Sequence, residues 1–156
     1  MSHTPLTAWR CDKCGEAVNA ENGWLEWESD EGNGPRNFHI VHNKNECFFH
    51  TRSPSRRDHH LHYFLGTKGQ QYLLKLLYPG TFFMSHFTRG DWDYPNIPDF
   101  AEIFRRLHVP YYEEARIYFE TAYSEGEMDG ANESTITSSD FCKDIFSKYR
   151  EKSDVL

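Results

Sequence analysis

Residues 11–15 read Cys11-Asp12-Lys13-Cys14-Gly15 (CDKCG), and residues 41–50 read VHNKNECFFH, with His42, Cys47 and His50 as its metal-ligating side chains. Two thiols bracketing a tight turn, closed by a glycine that can take positive φ, form a knuckle that aims both sulfurs at one point. Between the two stretches, Trp24 to Glu28 (WLEWE) reads as a strand and residues 29–35 (SDEGNGP) as a turn. Phe38 to His42 (FHIVH) then reads as a returning strand, so the pair forms an antiparallel hairpin. The return brings His42 and the residues just beyond it to the knuckle. A two-stranded hairpin is marginal alone, and a metal at its end supplies the missing anchor.

The predicted ligands are Cys11, Cys14, His42 and Cys47, holding one structural Zn2+. Cys47 and His50, spaced CxxH, form a competing second pair. His39 shares a strand face with Val41, opposite to His42, and is the weakest candidate. In either arrangement protein side chains fill all four positions, which marks a structural site and not a catalytic one. A redox CxxC would open a helix, whereas Gly15 and polar residues follow here. Cys142 reads as a packed thiol in a late helix. The knuckle, hairpin and second ligand pair resemble zinc-ribbon and treble-clef zinc modules over about residues 9–50. That resemblance implies a zinc-nucleated hairpin and little about activity, because such zinc-finger modules serve nucleic-acid binding, protein docking and stabilisation alike.

Downstream the periodicity turns helical. Thr67 to Tyr78 reads as a helix with Tyr72, Leu73, Leu76 and Leu77 on one face, stopped by Pro79-Gly80. Residues 80–98 read as irregular. Phe100, Ile103, Phe104 and Leu107 mark a second helix, and Tyr112, Ala115, Phe119, Ala122 and Tyr123 mark a third, beginning at Pro110. Residues 124–139 read as a linker before an amphipathic helix from Ser139 to Lys152, free or docked. The predicted class is α+β: an N-terminal zinc-bound β-hairpin module packed on a mainly helical C-terminal body. Its segments are a zinc module at 1–58, a helical body at 59–127, and a linker with terminal helix at 128–156.

Composition bounds the function. A formal net charge of −7 opposes phosphate backbones unless a local basic patch overrides it. The one dense basic run is Arg52, Arg56 and Arg57, which sets up an alternative as a nucleic-acid-binding zinc adaptor. His59, His60 and His62 set up another, a metal-dependent hydrolase or nuclease, although Asp58 is the only carboxylate close by in sequence. The first residues lack the apolar run of a secretion signal, and no stretch approaches the roughly 20 apolar residues of a membrane span. A cytoplasmic setting and no membrane partner are expected. No nucleophile–base pair stands out. The leading expectation is a small, zinc-stabilised, non-enzymatic factor that acts through a protein partner.

Overall fold

The computed structural model describes residues 8–153. Residues 1–7, at the start of the expected zinc module, and 154–156, at the end of the expected tail, lie outside the described residues. The class is α+β. Backbone contacts group the chain into two compact units, one running to His108 and the other starting at Val109.

The first unit is built on β3 (Gly23–Asp30). It pairs antiparallel with β4 (Asn33–His42) on one side and β5 (Arg56–His60) on the other, giving the order β4-β3-β5. Strands β1 (Ala8–Arg10) and β2 (Ala17–Asn19) form a separate small antiparallel pair around the knuckle. The predicted hairpin is present, and longer than its apolar core suggested. Of the predicted turn at 29–35, only Glu31 and Gly32 lie outside the two strands, and Gly32 takes φ +81°.

Strand alternation sends Leu25 and Trp27 to one face and Trp24, Glu26 and Glu28 to the other. The first face is the core. Trp27 stacks on Phe38 with ring centroids 6.0 Å apart and meets Phe64 edge-on at 5.8 Å. Phe38 in turn meets Phe100 edge-on at 6.4 Å. Phe64 ends a 3-10 turn at Leu61–Phe64 that leads into α1 (Gly66–Leu77), and Phe100 lies on α3 (Ile97–His108). Between these helices, residues expected to be irregular include α2 (Thr81–Phe87), of which only Met84 is buried.

The second face is covered by the connection from β4 to β5. Residues 51–58 (TRSPSRRD) read from sequence as an exposed loop. Arg56–His60 is nevertheless a strand: its backbone pairs with the edge of β3, and Arg56 reaches a β3 carboxylate. Glu26 is fully buried and Asp58 sits opposite it in register. Arg56 donates to Glu26 at 3.0 Å and pairs with Asp58 at 3.0 Å. Tertiary pairing here overrides a composition with no strand signal. Because β5 completes the hairpin sheet, residues on both sides of position 58 share one unit.

The second unit holds α4 (Tyr112–Arg116), α5 (Phe119–Ser124), α6 (Glu133–Ile136) and α7 (Ser139–Ser153). The single helix expected from Pro110 is broken at Ile117–Tyr118. The Tyr118 N–H bonds the Ala115 carbonyl at 2.8 Å, a three-residue closure that ends α4. Tyr118 then stacks on Tyr149 of α7 at 5.9 Å. The expected linker contains α6, capped by the Asn132 side chain accepting from Thr135 N–H at 3.0 Å. The terminal helix α7 docks: Tyr112, Ala115 and Ala122 form a buried cluster with Cys142, Ile145 and Tyr149. Tyr149 and Lys152 also both bond Glu125, at 2.6 and 2.8 Å. No helix among the described residues is long and apolar enough to cross a membrane.

Candidate metal centre

The knuckle closes on itself and then onto β4. Gly15 N–H bonds the Cys11 carbonyl at 2.9 Å, and Cys11 N–H bonds the Glu16 carbonyl at 2.8 Å. Gly15 holds φ +78°, the left-handed conformation that glycine takes without strain. Asp12 bridges outward: its N–H bonds the Ile40 carbonyl and its carboxylate accepts from Ile40 N–H, both at 2.8 Å. The knuckle is thereby set at the C-terminal end of β4, where His42 emerges. On the far side, Lys44 N–H bonds the His42 carbonyl at 2.8 Å and a 3-10 turn at Asn45–Cys47 folds Cys47 back.

The ligand atoms of Cys11, Cys14, His42 and Cys47 all lie within 4.8 Å of one another, a group that can hold a metal ion. Among the described residues no other His, Cys, Asp or Glu group of three or more is placed to do so. His42 Nδ1 is 3.4 Å from Cys14 Sγ and 3.8 Å from Cys47 Sγ. The other ring nitrogen, Nε2, lies 3.0 Å from the Ala17 carbonyl, which can only accept. Nε2 therefore carries the proton, and the Nδ1 lone pair is left facing the sulfurs. Such an outer hydrogen bond fixes both tautomer and ring orientation for metal binding.

Cys11 and Cys47 are almost fully buried. Burial pushes the Cys11 thiol up, but the backbone N–H groups around it, Cys14's first, pull it down to about 6. Burial pushes Cys47 up to about 11, with the Cys11 and Cys14 sulfurs adding to the rise. The Cys11 and Cys47 thiols are thus pushed in opposite directions within one cluster. A positive ion removes that conflict.

The competing ligand His50 points elsewhere. Its Nε2–H donates to the Asn37 carbonyl at 3.3 Å and its Nδ1 faces Glu28 at 3.9 Å. His39 stacks on Phe49 at 3.9 Å and faces Asp12 at 3.7 Å. His59 stacks on Tyr63 (4.0 Å), and His60 packs on Trp24 (4.5 Å). In the basic run, Arg56 is engaged by Glu26 and Asp58, and its guanidinium lies over Phe48 at 4.4 Å. Arg57, the next strand residue, points to the opposite face. Arg56 and Arg57 therefore do not share one basic face.

Two supporting residues have no motif. Glu26, through a single carboxylate, accepts from Phe49 N–H (2.8 Å), His50 N–H (3.1 Å) and Arg56 Nε (3.0 Å). It therefore fastens the segment carrying Cys47 to the sheet. Arg106, buried on α3, donates to Asp12 at 2.9 Å and to the Arg10 carbonyl at 3.2 Å, while Trp9 Nε1–H donates to the Arg106 carbonyl at 3.0 Å. Burial alone would push the Asp12 carboxyl up. His39, the Arg106 guanidinium and the Ile40 N–H outweigh it and hold the carboxyl below its usual range. A sequence signal for Arg106 exists: it falls three residues after Ile103, on the apolar face of α3, where a cation needs a partner.

Comparison with protein-family models, curated proteins and solved structures finds no match for this chain.

Proposed function

We propose that the Cys11–Cys14–His42–Cys47 group holds one structural Zn2+, in a zinc-ribbon or treble-clef-like module, and that the protein is a non-enzymatic interaction factor. The observation that carries this reading is the donor set: three thiols and one oriented imidazole, with every position supplied by protein. Soft sulfur donors joined by one borderline nitrogen favour zinc among common ions. A tetrahedral zinc with ordinary bond lengths separates sulfur from nitrogen by about 3.5 Å along each edge. The two sulfur–Nδ1 separations of 3.4 and 3.8 Å bracket that value. A filled sphere leaves no place for substrate or activated water, so the centre serves the fold. Contact with a protein partner is then the simplest remaining role for a chain of net charge −7. The nucleic-acid alternative is weakened by the engagement of Arg56. The hydrolase alternative is weakened because His59, His60 and His62, although His60 and His62 stack at 5.4 Å, form no group of converging ligand atoms among the described residues and pack instead on Tyr63 and Trp24.

The test is metal analysis of the purified chain with hydrogen exchange before and after chelation. One zinc per chain is expected, and chelation should expose amides of residues 8–50 while those of 109–153 stay protected. No bound metal after refolding in zinc would refute the centre. Two metals per chain would favour the hydrolase reading. For the interaction role, capture from native lysate compares the intact chain with a variant carrying Ala at the exposed α7 positions Asp144, Arg150 and Glu151, which leaves the buried face of that helix in place. No specific partner with either form would count against it.

A further inference from the structure

A second feature of the first unit is a cleft of about 330 Å³ lined by Ser29, Pro35, Leu76, Asp91, Trp92 and Asp93. It sits at the small end of ligand-pocket sizes, suited to one side chain and not to a nucleotide-sized cofactor. Its walls are fixed by the fold. Trp92 Nε1–H donates to the Leu77 carbonyl at 3.2 Å, which ties the indole to the end of α1. The β3–β4 turn is clamped to the loop bearing the aspartates by three contacts. Gly32 N–H bonds Asp93 at 3.3 Å, and Asn96 N–H bonds the Pro35 carbonyl at 2.9 Å. Gly34 lies so close that an added Cβ would collide with the Tyr94 carbonyl oxygen.

The chemistry of the lining has one sign. Two carboxylates and a hydroxyl accompany three apolar walls, and no basic side chain is among them. Leu76 belongs to the last turn of α1, whose carbonyl end carries the negative pole of the helix dipole. Two cations next to lining residues in sequence are engaged elsewhere: Lys75 Nζ lies over the Tyr72 ring at 4.0 Å, and Arg36 is paired with Asp30 at 2.9 Å. An indole wall, carboxylates and a helix C-terminus together recognise an organic cation on an apolar stem. Guanidinium suits this set better than ammonium, since its plane stacks on an indole and its fork meets a carboxylate.

We infer that this cleft is a docking site for an arginine side chain presented by a protein partner, packed on Trp92 and paired with Asp91. The inference rests on the protein-interaction reading for the source of the arginine.

The test uses the full, zinc-loaded chain, titrated with a capped Gly-Arg-Gly peptide and followed by ¹⁵N–¹H NMR. Saturable shifts are expected at the Trp92 indole N–H and the 91–93 amides. The matched Gly-citrulline-Gly peptide, isosteric and neutral, should produce none. Asp91→Asn and Trp92→Ala should each weaken binding about tenfold, and Trp92→Phe should retain most of it. The Asp91→Asn arm stands even if Trp92→Ala perturbs the loop. Equal shifts with the citrulline peptide, or unchanged binding in both variants, would overturn the proposal. Tighter binding of agmatine than of the peptide would point to a free amine and overturn the partner assignment. Normal zinc content with a failed titration discards the cleft alone, whereas failed partner capture with a successful titration discards only the partner.

Discussion

Replacing Glu26 tests the link between the sheet and the proposed metal centre. The side chain is completely buried, and its oxygens hold Phe49 N–H, His50 N–H and Arg56 Nε at 2.8, 3.1 and 3.0 Å. Glu26→Ala strands two backbone donors and a half-buried guanidinium together. A hydrogen bond to a charged group contributes about 1.5–3 kcal/mol, and breaking a buried pair one-sidedly costs about 3–5 kcal/mol. Arg56 keeps Asp58 and some solvent, so a total near the lower end, about 3 kcal/mol, is expected. The released segment is the one that folds Cys47 back to the other ligands. If this loss falls on metal binding, zinc affinity drops about 10²-fold, at roughly 1.4 kcal/mol per decade. Glu26→Gln keeps one acceptor oxygen and should lose about tenfold or less. Competition against a chromophoric chelator measures both, with thermal melts at saturating zinc as a check on folding. A folded Glu26→Ala protein with wild-type zinc affinity would refute the reasoning. Should Ala fail to fold, the Gln variant carries the same test at smaller amplitude.

Two further predictions concern pH. Burial holds the His108 ring below its ordinary value of 6.5, against the Phe64 carbonyl that accepts its Nε2–H at 2.8 Å. The unfolded chain therefore takes up that proton first, and the stability contributed by neutral His108 is lost as pH falls from above 6.5 through the lowered folded value. His108→Gln should shrink the difference between urea midpoints at about pH 8 and about pH 5, measured against wild type because metal-ligand protonation affects both proteins alike. An unchanged difference would remove His108 from the account. In the second unit, burial raises the Glu114 carboxyl, with the Glu113 charge adding to it, and one Glu114 oxygen is buried without a partner. Its favourable contribution is present below about 4.5 and lost as pH rises through the raised folded value. Glu114→Gln should therefore stabilise that unit at neutral pH, on the order of 1 kcal/mol, and make no difference in acid. A lower melting temperature at pH 7 would reverse the assignment.

Much of the first unit was legible because its signals are local. CDKCG states a turn and two sulfurs within five residues, and WLEWE with FHIVH states two strands of defined face. What could not be read was whatever another segment decides. RRDHH has the composition of a loop and becomes a strand only because Glu26, thirty residues earlier, is waiting for Arg56. Glu26 itself alternates onto what looks like a solvent face, and the β4–β5 connection that covers it is anchored by backbone N–H groups that leave no side-chain signature. The helix expected from Pro110 fails for a related reason. Its periodicity continues through Ile117, but ending α4 there re-aims Tyr118 onto Tyr149 of α7, a contact set by residues about thirty positions away.

The choice between His42 and His50 shows how strand parity and reach combine. A ligand at the last residue of β4 stands beside the knuckle, because Asp12 is bonded to Ile40 two residues earlier. Whichever way the following segment runs, His42 remains within reach of Cys14, and the Ala17 carbonyl selects the nitrogen it offers. His50 depends on that segment turning inward. It turns outward instead, because Glu26 holds the backbone N–H groups of Phe49 and His50 against the sheet. The carboxylate that holds the segment after Cys47 to the sheet is thus the same one that keeps His50 out of the candidate group. A Glu26 variant should consequently loosen both assignments together: with Cys47 released and His50 no longer held, a weakened site that still binds zinc would be the place to look for ligand exchange between the two.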